Sequence, residues 1–120
     1  MNKYRSHLCN QLNENDSGSS VLISGWVHRK RDHGNLLFID LRDHYGITQC
    51  VIDKSNEDLL FIAEKLKSET VISISGKVVL RDNETINENL DTGKIEIVIF
   101  LFEDLNPFFG QTYPELIATG

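Results

Sequence analysis

The 120-residue chain has little that would staple, anchor or charge it for catalysis. Its two cysteines, Cys9 and Cys50, lie far apart with no CxxC or Cys/His spacing. Neither a zinc site nor a disulfide framework is indicated, and both read as reduced structural thiols. No apolar run approaches the roughly 18 residues of a membrane span, and the opening residues Met1 to His7 have no apolar h-region behind them. We therefore expect a cytoplasmic protein with no membrane partner. A glycine-rich phosphate loop, a nucleophile elbow and a metal-ligating triad are all missing. The histidines His7, His28, His33 and His44 are not spaced as a ligand cluster. Catalysis and metal binding within this chain are not expected. Positive charge is scarce too: 12 Lys and Arg against 18 Asp and Glu give a net charge of −6, with a pI near 5.1. That balance is the opposite of the usual electrostatic footprint of a nucleic-acid-binding protein and is the strongest argument against such a partner.

What is present is ordinary in bulk and unusual in one place. With 40% apolar and 25% charged residues the composition suits one soluble domain. A chain of this size buries roughly 65% of its unfolded surface, enough for a core of its own. The charge is uneven, however. Between Trp26 and Gln49 the cations Arg29, Lys30, Arg31 and Arg42 outnumber Asp32, Asp40 and Asp43, while Asp82 to Asp104 holds seven acids against Lys94. A small basic face of this kind fits a few single-stranded nucleotides held by stacking and hydrogen bonds better than a duplex.

That face falls on alternating runs, which send successive side chains to opposite sides of a strand. Val21, Ile23, Gly25 and Val27 share one side of a first strand, which leads into a basic turn at Arg29 to Gly34. In the second strand Leu37, Ile39 and Leu41 share one side, and Leu36, Phe38, Asp40 and Arg42 the other, so Phe38 points away from the core. The third run, Ile47 to Asp53, sets Ile47, Gln49 and Val51 against Thr48, Cys50 and Ile52, and its pattern does not say which side is core. A tight turn at Asp43 to Gly46, with Gly46 free to take a positive φ, would pair the two runs and bring Phe38 and Gln49 onto one exposed face. Asn10 to Ser20 is a polar lead-in. Ser55 or Asn56 can cap a helix in which Leu59, Leu60, Ile62, Ala63 and Leu66 recur at helical spacing. Thr70 to Leu80 alternates again, a polar arm runs from Arg81 to Gly93, and Ile95, Ile97 and Ile99 alternate with Glu96, Val98 and Phe100.

The order is β-β-β-α-β-β, mainly β, with one helix between strands 3 and 4. This is the element order of the five-stranded Greek-key oligonucleotide/oligosaccharide-binding (OB) barrel, whose strands 2 and 3 and flanking loops form the binding face. An SH3-like barrel or a small open sheet with one packed helix is the alternative. Taken singly, the polar residues admit plainer roles. Phe38 can be an edge-of-core aromatic, Arg29 and Lys30 solvated, Trp26 packing under the turn, and Glu96 solvent-facing. The three aspartates of the basic stretch can be ion-pair partners for Arg31 and Arg42, or turn formers.

The residues Gly25-Trp-Val-His-Arg-Lys-Arg-Asp-His-Gly34, Leu37-Phe-Ile-Asp-Leu-Arg-Asp43, Gly46-Ile-Thr-Gln49 and Asn87 with Thr92-Gly-Lys-Ile-Glu96 closely resemble the N-terminal anticodon-binding domain of bacterial-type aspartyl-tRNA synthetase. The resemblance runs from about Tyr4 to Leu105 and assigns 1–105 to that domain, leaving 106–120 as a hinge or extension that does not follow the family pattern. It implies that Arg31, Phe38 and Gln49 read the anticodon, with Phe38 stacking on the central uracil. By the same resemblance Arg81, Asn87 and Glu96 serve the first and third bases, and Arg29 and Lys30 are candidates for phosphate contacts. His33 resembles members of relaxed specificity that charge both aspartate and asparagine tRNAs. Val79 and Thr85 depart from the Arg and Asn of many relatives. The full-length family enzyme is a homodimeric class II ligase using ATP and magnesium. The present chain needs no cofactor, its partner is tRNA and not DNA, and as a fragment it is expected to be monomeric. Two other classes remain open at this point: a free-standing single-strand-binding barrel, and a protein-interaction module suggested by the acidic charge and the apolar Asn106 to Phe109.

Overall fold

The computed structural model describes residues 6–104; the segment 106–120, including the apolar Asn106 to Phe109, lies outside them. The five expected strands form as β1 (Ser20–His33), β2 (Leu36–Arg42), β3 (Ile47–Asp53), β4 (Val71–Leu80) and β5 (Ile95–Asp104), with α1 (Glu57–Lys65) between β3 and β4. They close into a barrel in the order β1-β2-β3-β5-β4. The β3–β5 pair is parallel and every other pair antiparallel. This Greek-key closure is the OB topology and displaces the SH3-like and open-sheet alternatives.

The core follows from the alternation. Ile23 and Val27 of β1, Ile39 and Leu41 of β2, Ile72 and Ile74 of β4, and Ile95 and Ile97 of β5 all point inward and are fully buried. Register decides the face of β3, which its sequence left open. Leu37, Ile39 and Leu41 lie opposite Ile52, Cys50 and Thr48, and residues directly opposite each other share a face. Thr48, Cys50 and Ile52 therefore turn in, and Thr48 satisfies its hydroxyl by donating to the Cys9 carbonyl at 2.8 Å. Burial pushes the Cys50 thiol well above its ordinary value.

Helix α1 plugs one end of the barrel with Leu59, Ala63 and the following Leu66. Asn56, one of the two expected caps, accepts from the Leu59 amide at 3.3 Å. At the other end of the helix the Lys30 ammonium donates to the carbonyls of Ala63 (3.1 Å) and Glu64 (3.4 Å). A cation there offsets the partial negative charge of the last carbonyls.

Two turns differ from expectation. The basic stretch is strand rather than turn: β1 continues to His33, which pairs with Leu36, and only Gly34 and Asn35 form the reversal. Gly34 takes φ +61°, a value at the first central position that suits a two-residue hairpin and that glycine adopts without a Cβ clash. Gly46 does not use a positive φ; a Cβ there would come within 2.8 Å of the Asn10 Cβ. The turn is held instead by Asp43, whose Oδ1 accepts from the amides of Tyr45 (2.8 Å) and Gly46 (3.0 Å) and whose Oδ2 accepts from Cys9 (2.9 Å). In β5 the alternation also breaks, because a register shift opposite Ser75 and Gly76 leaves Phe100 and Leu101 both outward before Phe102 turns in.

Candidate nucleic-acid interface

One irregularity in β1 builds the outer face. Val27 pairs with Leu41, but Arg29, not His28, pairs with Asp40. His28 is thus the extra residue of a β-bulge, and a one-residue insertion reverses which side chains face out. Were His28 paired with Asp40 in unbroken register, Arg29 and Arg31 would continue the inward series of Ile23 and Val27. With the bulge Arg29, Arg31 and His33 join Phe38 and Asp40 on the outer surface, while Lys30 pairs with inward Ile39 and reaches the end of α1.

The outer face is an ordered network. Arg31 donates from Nη2 to Asp40 Oδ1 and to Gln49 Oε1, both at 2.8 Å. Its guanidinium carbon stands 5.2 Å from the centre of the Phe38 ring, within range of a cation–π contact. His33 flanks that ring from elsewhere, with centroids 6.1 Å apart and planes at 57°. Gln49 in turn donates from Nε2 to Glu96 Oε1 at 2.8 Å. Glu96 therefore holds Gln49 rather than facing water alone. Asp40, one of the aspartates expected as an ion-pair partner of Arg31, is the hub: 8% exposed, it pairs with Arg31 at 2.8 Å and more loosely with Arg29 at 3.7 Å. Its place on the Phe38 side of β2 was visible in the alternation, but its role depends on the bulge that brings both arginines opposite it.

Arg81 closes the floor from the start of the polar arm. It is 8% exposed, donating from Nε to the Ile95 carbonyl at 2.8 Å and from Nη1 to the Thr85 carbonyl at 3.0 Å. Its Nη2 is buried with no partner among the described residues, as is Nε of Arg31. Burial pushes the Arg81 guanidinium below its ordinary value, opposed by the nearby Glu96 and Asp40 carboxylates. Arg81, Thr85 and Asn87 face Arg31, Phe38 and Gln49 across an open cleft of about 730 Å³. Asn87 is exposed; its amide donates to the Gly93 carbonyl at 3.0 Å and its side chain accepts from Asn89 at 3.0 Å.

Most of the residues singled out in the sequence thus come together, with two differences. Gln49 is on the expected face but only 6% exposed, because Arg31 and Glu96 cover it. Lys30 is directed to the helix end and not to the cleft. Of the three aspartates, Asp32 pairs with Lys54 at 2.6 Å, Asp40 takes the arginines and Asp43 forms the turn. The apolar cleft residues Ile47 and Leu90 were not anticipated, since neither carries a chemical signature in the sequence.

Chemically, the cleft offers an aromatic face beside an amide with capacity to spare. Gln49 retains one amide hydrogen and one acceptor lone pair. That combination suits unstacked single-stranded bases. Residues 21–105 match a family model described as an OB-fold nucleic acid binding domain. The chain belongs to that family. Within it, the chain is similar to the aspartate–tRNA(Asp/Asn) ligase of Pelagibacter ubique (strain HTCC1062), 58% identical over 105 residues that cover 88% of this chain and 18% of the relative. The aspartate–tRNA(Asp/Asn) ligase of Bradyrhizobium diazoefficiens is 51% identical over 123 residues, covering 96% and 21%. Among solved structures, asparaginyl-tRNA synthetase from Pyrococcus horikoshii complexed with asparaginyl-adenylate superposes with a TM-score of 0.70 at 25% identity, covering 83% of this chain and 22% of that one. The chain spans about a fifth of the length of these relatives, and they are ligases of the kind its motifs resemble.

Proposed function

We propose that this OB-fold module reads the anticodon of aspartate tRNA, and also that of asparagine tRNA, as the N-terminal part of an aspartate–tRNA ligase. The observation that carries the reading is the convergence of Arg31, Phe38 and Gln49 on one cleft, opposite Arg81 and Asn87. Phe38, braced by Arg31 and His33, supplies a fixed stacking surface for the central uracil. Gln49 is held in one orientation by Arg31 and Glu96, so its remaining donor and acceptor meet a base edge with little further loss of freedom. Arg81 and Asn87 serve the neighbouring bases. The relatives' names, which pair the two tRNAs, and His33 at the cleft rim support the dual specificity.

In the complete ligase the activation of aspartate by ATP with magnesium, and the transfer to tRNA, belong to a separate class II domain and a homodimer in the cytoplasm. This module contributes remote binding energy that positions the acceptor end. Titration with anticodon stem-loops bearing GUC, GUU and an unrelated triplet, at one stated salt concentration, tests the proposal. GUC and GUU should bind comparably and more tightly than the third, and Phe38→Ala should remove that preference. Equal binding of all three by the unmodified protein would indicate a nonspecific single-strand binder, and no binding a module of another class.

A further inference from the structure

The outer face of β1, β2 and β3 does not end at the row of Arg29, Asp40 and Gln49. The next row toward the β2–β3 turn sets Arg42 between Trp26 and Ile47. Beyond it His44 packs edge-on against Trp26, with centroids 5.4 Å apart and planes at 69°. Tyr45 next to it is 57% exposed, on a backbone fixed by Asp43. A second cleft of about 260 Å³ opens here, lined by Asn10, Arg42, Tyr45 and Asn89 among others. It shares Ile47 and Leu90 with the anticodon cleft, so the two form one continuous track. From Phe38 to Arg42 the track rises four residues of β2, about 13 Å. The second cleft is therefore too far from Phe38 to receive the same base.

We propose that this second cleft is a subsite for the base of the nucleotide adjoining the anticodon triplet, with Tyr45 as its stacking platform. This rests on the anticodon reading above. The chemistry favours a base over a phosphate: Arg42 is the one Lys or Arg among the lining residues, and Asp43 and Asp91 line the same cleft. Asn10 also lines the cleft, and its side-chain oxygen is buried there with no partner among the described residues. An exposed tyrosine face stacks on any base, so the subsite adds affinity without adding sequence preference.

The test is a double-mutant cycle with three GUC stem-loops, one intact and two abasic at the nucleotide 5′ or 3′ of the triplet. Tyr45→Ala should weaken binding of the intact loop about fivefold. It should have no effect on one of the abasic loops, which should itself bind the unmodified protein more weakly by the same factor. Tyr45→Phe should behave as the unmodified protein, and Tyr45→Ala should keep its preference for GUC over an unrelated triplet. Unchanged affinity of Tyr45→Ala for the intact loop, or an equal loss on all three loops, would overturn the subsite while leaving the triplet reading in place. Absence of any GUC preference in the unmodified protein would overturn the anticodon reading and the subsite with it.

Discussion

Arg31 concentrates the logic of the interface in a single side chain. Its guanidinium donates to Asp40 and Gln49 from one nitrogen while its delocalised plane lies near the Phe38 ring and its remaining N–H groups stay beside the cleft; a lysine ammonium could make the two hydrogen bonds but has neither the planar group to lie by the ring nor those further donors. Arg31→Lys should therefore weaken binding to a GUC stem-loop about tenfold, the scale of one charge-assisted hydrogen bond. Its melting temperature should stay close to that of the unmodified protein, because Arg31 is partly exposed and outside the core. Calorimetric titration beside a thermal melt separates the two effects, and a large fall in melting temperature would mean that Arg31 is mainly structural. Phe38 was legible as a candidate site residue because β2 alternates cleanly, and Gln49 because the motif resemblance fell on it and the expected hairpin set it beside Phe38, although the pattern of β3 alone left its face open. The burial of Gln49 was not legible, since it comes from Arg31 and Glu96, which lie 18 and 47 residues away in the chain.

At the scale of elements, the bulge at His28 decides what the basic strand presents. Deleting His28 would close the bulge and set Arg29 directly after inward Val27, so that alternation still turns Arg29 and Arg31 outward beside Asp40 and Phe38. The variant should keep its preference for a GUC stem-loop over an unrelated triplet and stay close to the unmodified protein in stability by denaturant titration. Loss of that preference with an intact fold would mean that the extra twist of the bulge, and not the alternation it resets, orients the arginines. Lys30 faces the other way. Its ammonium caps α1 rather than facing the cleft, so Lys30→Met should cost about 1 kcal/mol or less of stability and leave stem-loop affinity unchanged. A drop in affinity with unchanged stability would restore Lys30 as a phosphate contact. Strand order and helix position were readable because periodicity of two and of 3.6 residues persists through each element. A one-residue bulge flanked by His, Arg and Lys leaves no such trace, as none of these side chains declares an inner or outer face. The break in strand β5 was hidden similarly: the alternation of Ile95, Ile97 and Ile99 with Glu96, Val98 and Phe100 carries no sign of it, and only the pairing with β4 shows Phe100 and Leu101 both facing out.

For the whole molecule the net charge of −6 sets the terms of binding. Arg31 and Arg81 are engaged within the protein and Arg42 shares its cleft with Asp43 and Asp91, which leaves Arg29 as the exposed cation of the outer face available to a phosphate. One phosphate contact on a single strand corresponds to a slope of log K against log salt of about −0.7. A slope steeper than about −4 would instead indicate a broad phosphate-gripping surface that this barrel does not show. Shallow salt dependence with strong base preference is the signature of recognition by stacking and hydrogen bonds. The most direct measurement is the affinity ratio of a GUC stem-loop to one whose central uracil is replaced by adenine, GAC, at a fixed salt concentration. Reading of the central base by Phe38 and Gln49 predicts at least tenfold tighter binding of GUC, the discrimination expected from one well-placed base contact. Equal affinities would show that the cleft does not read the anticodon.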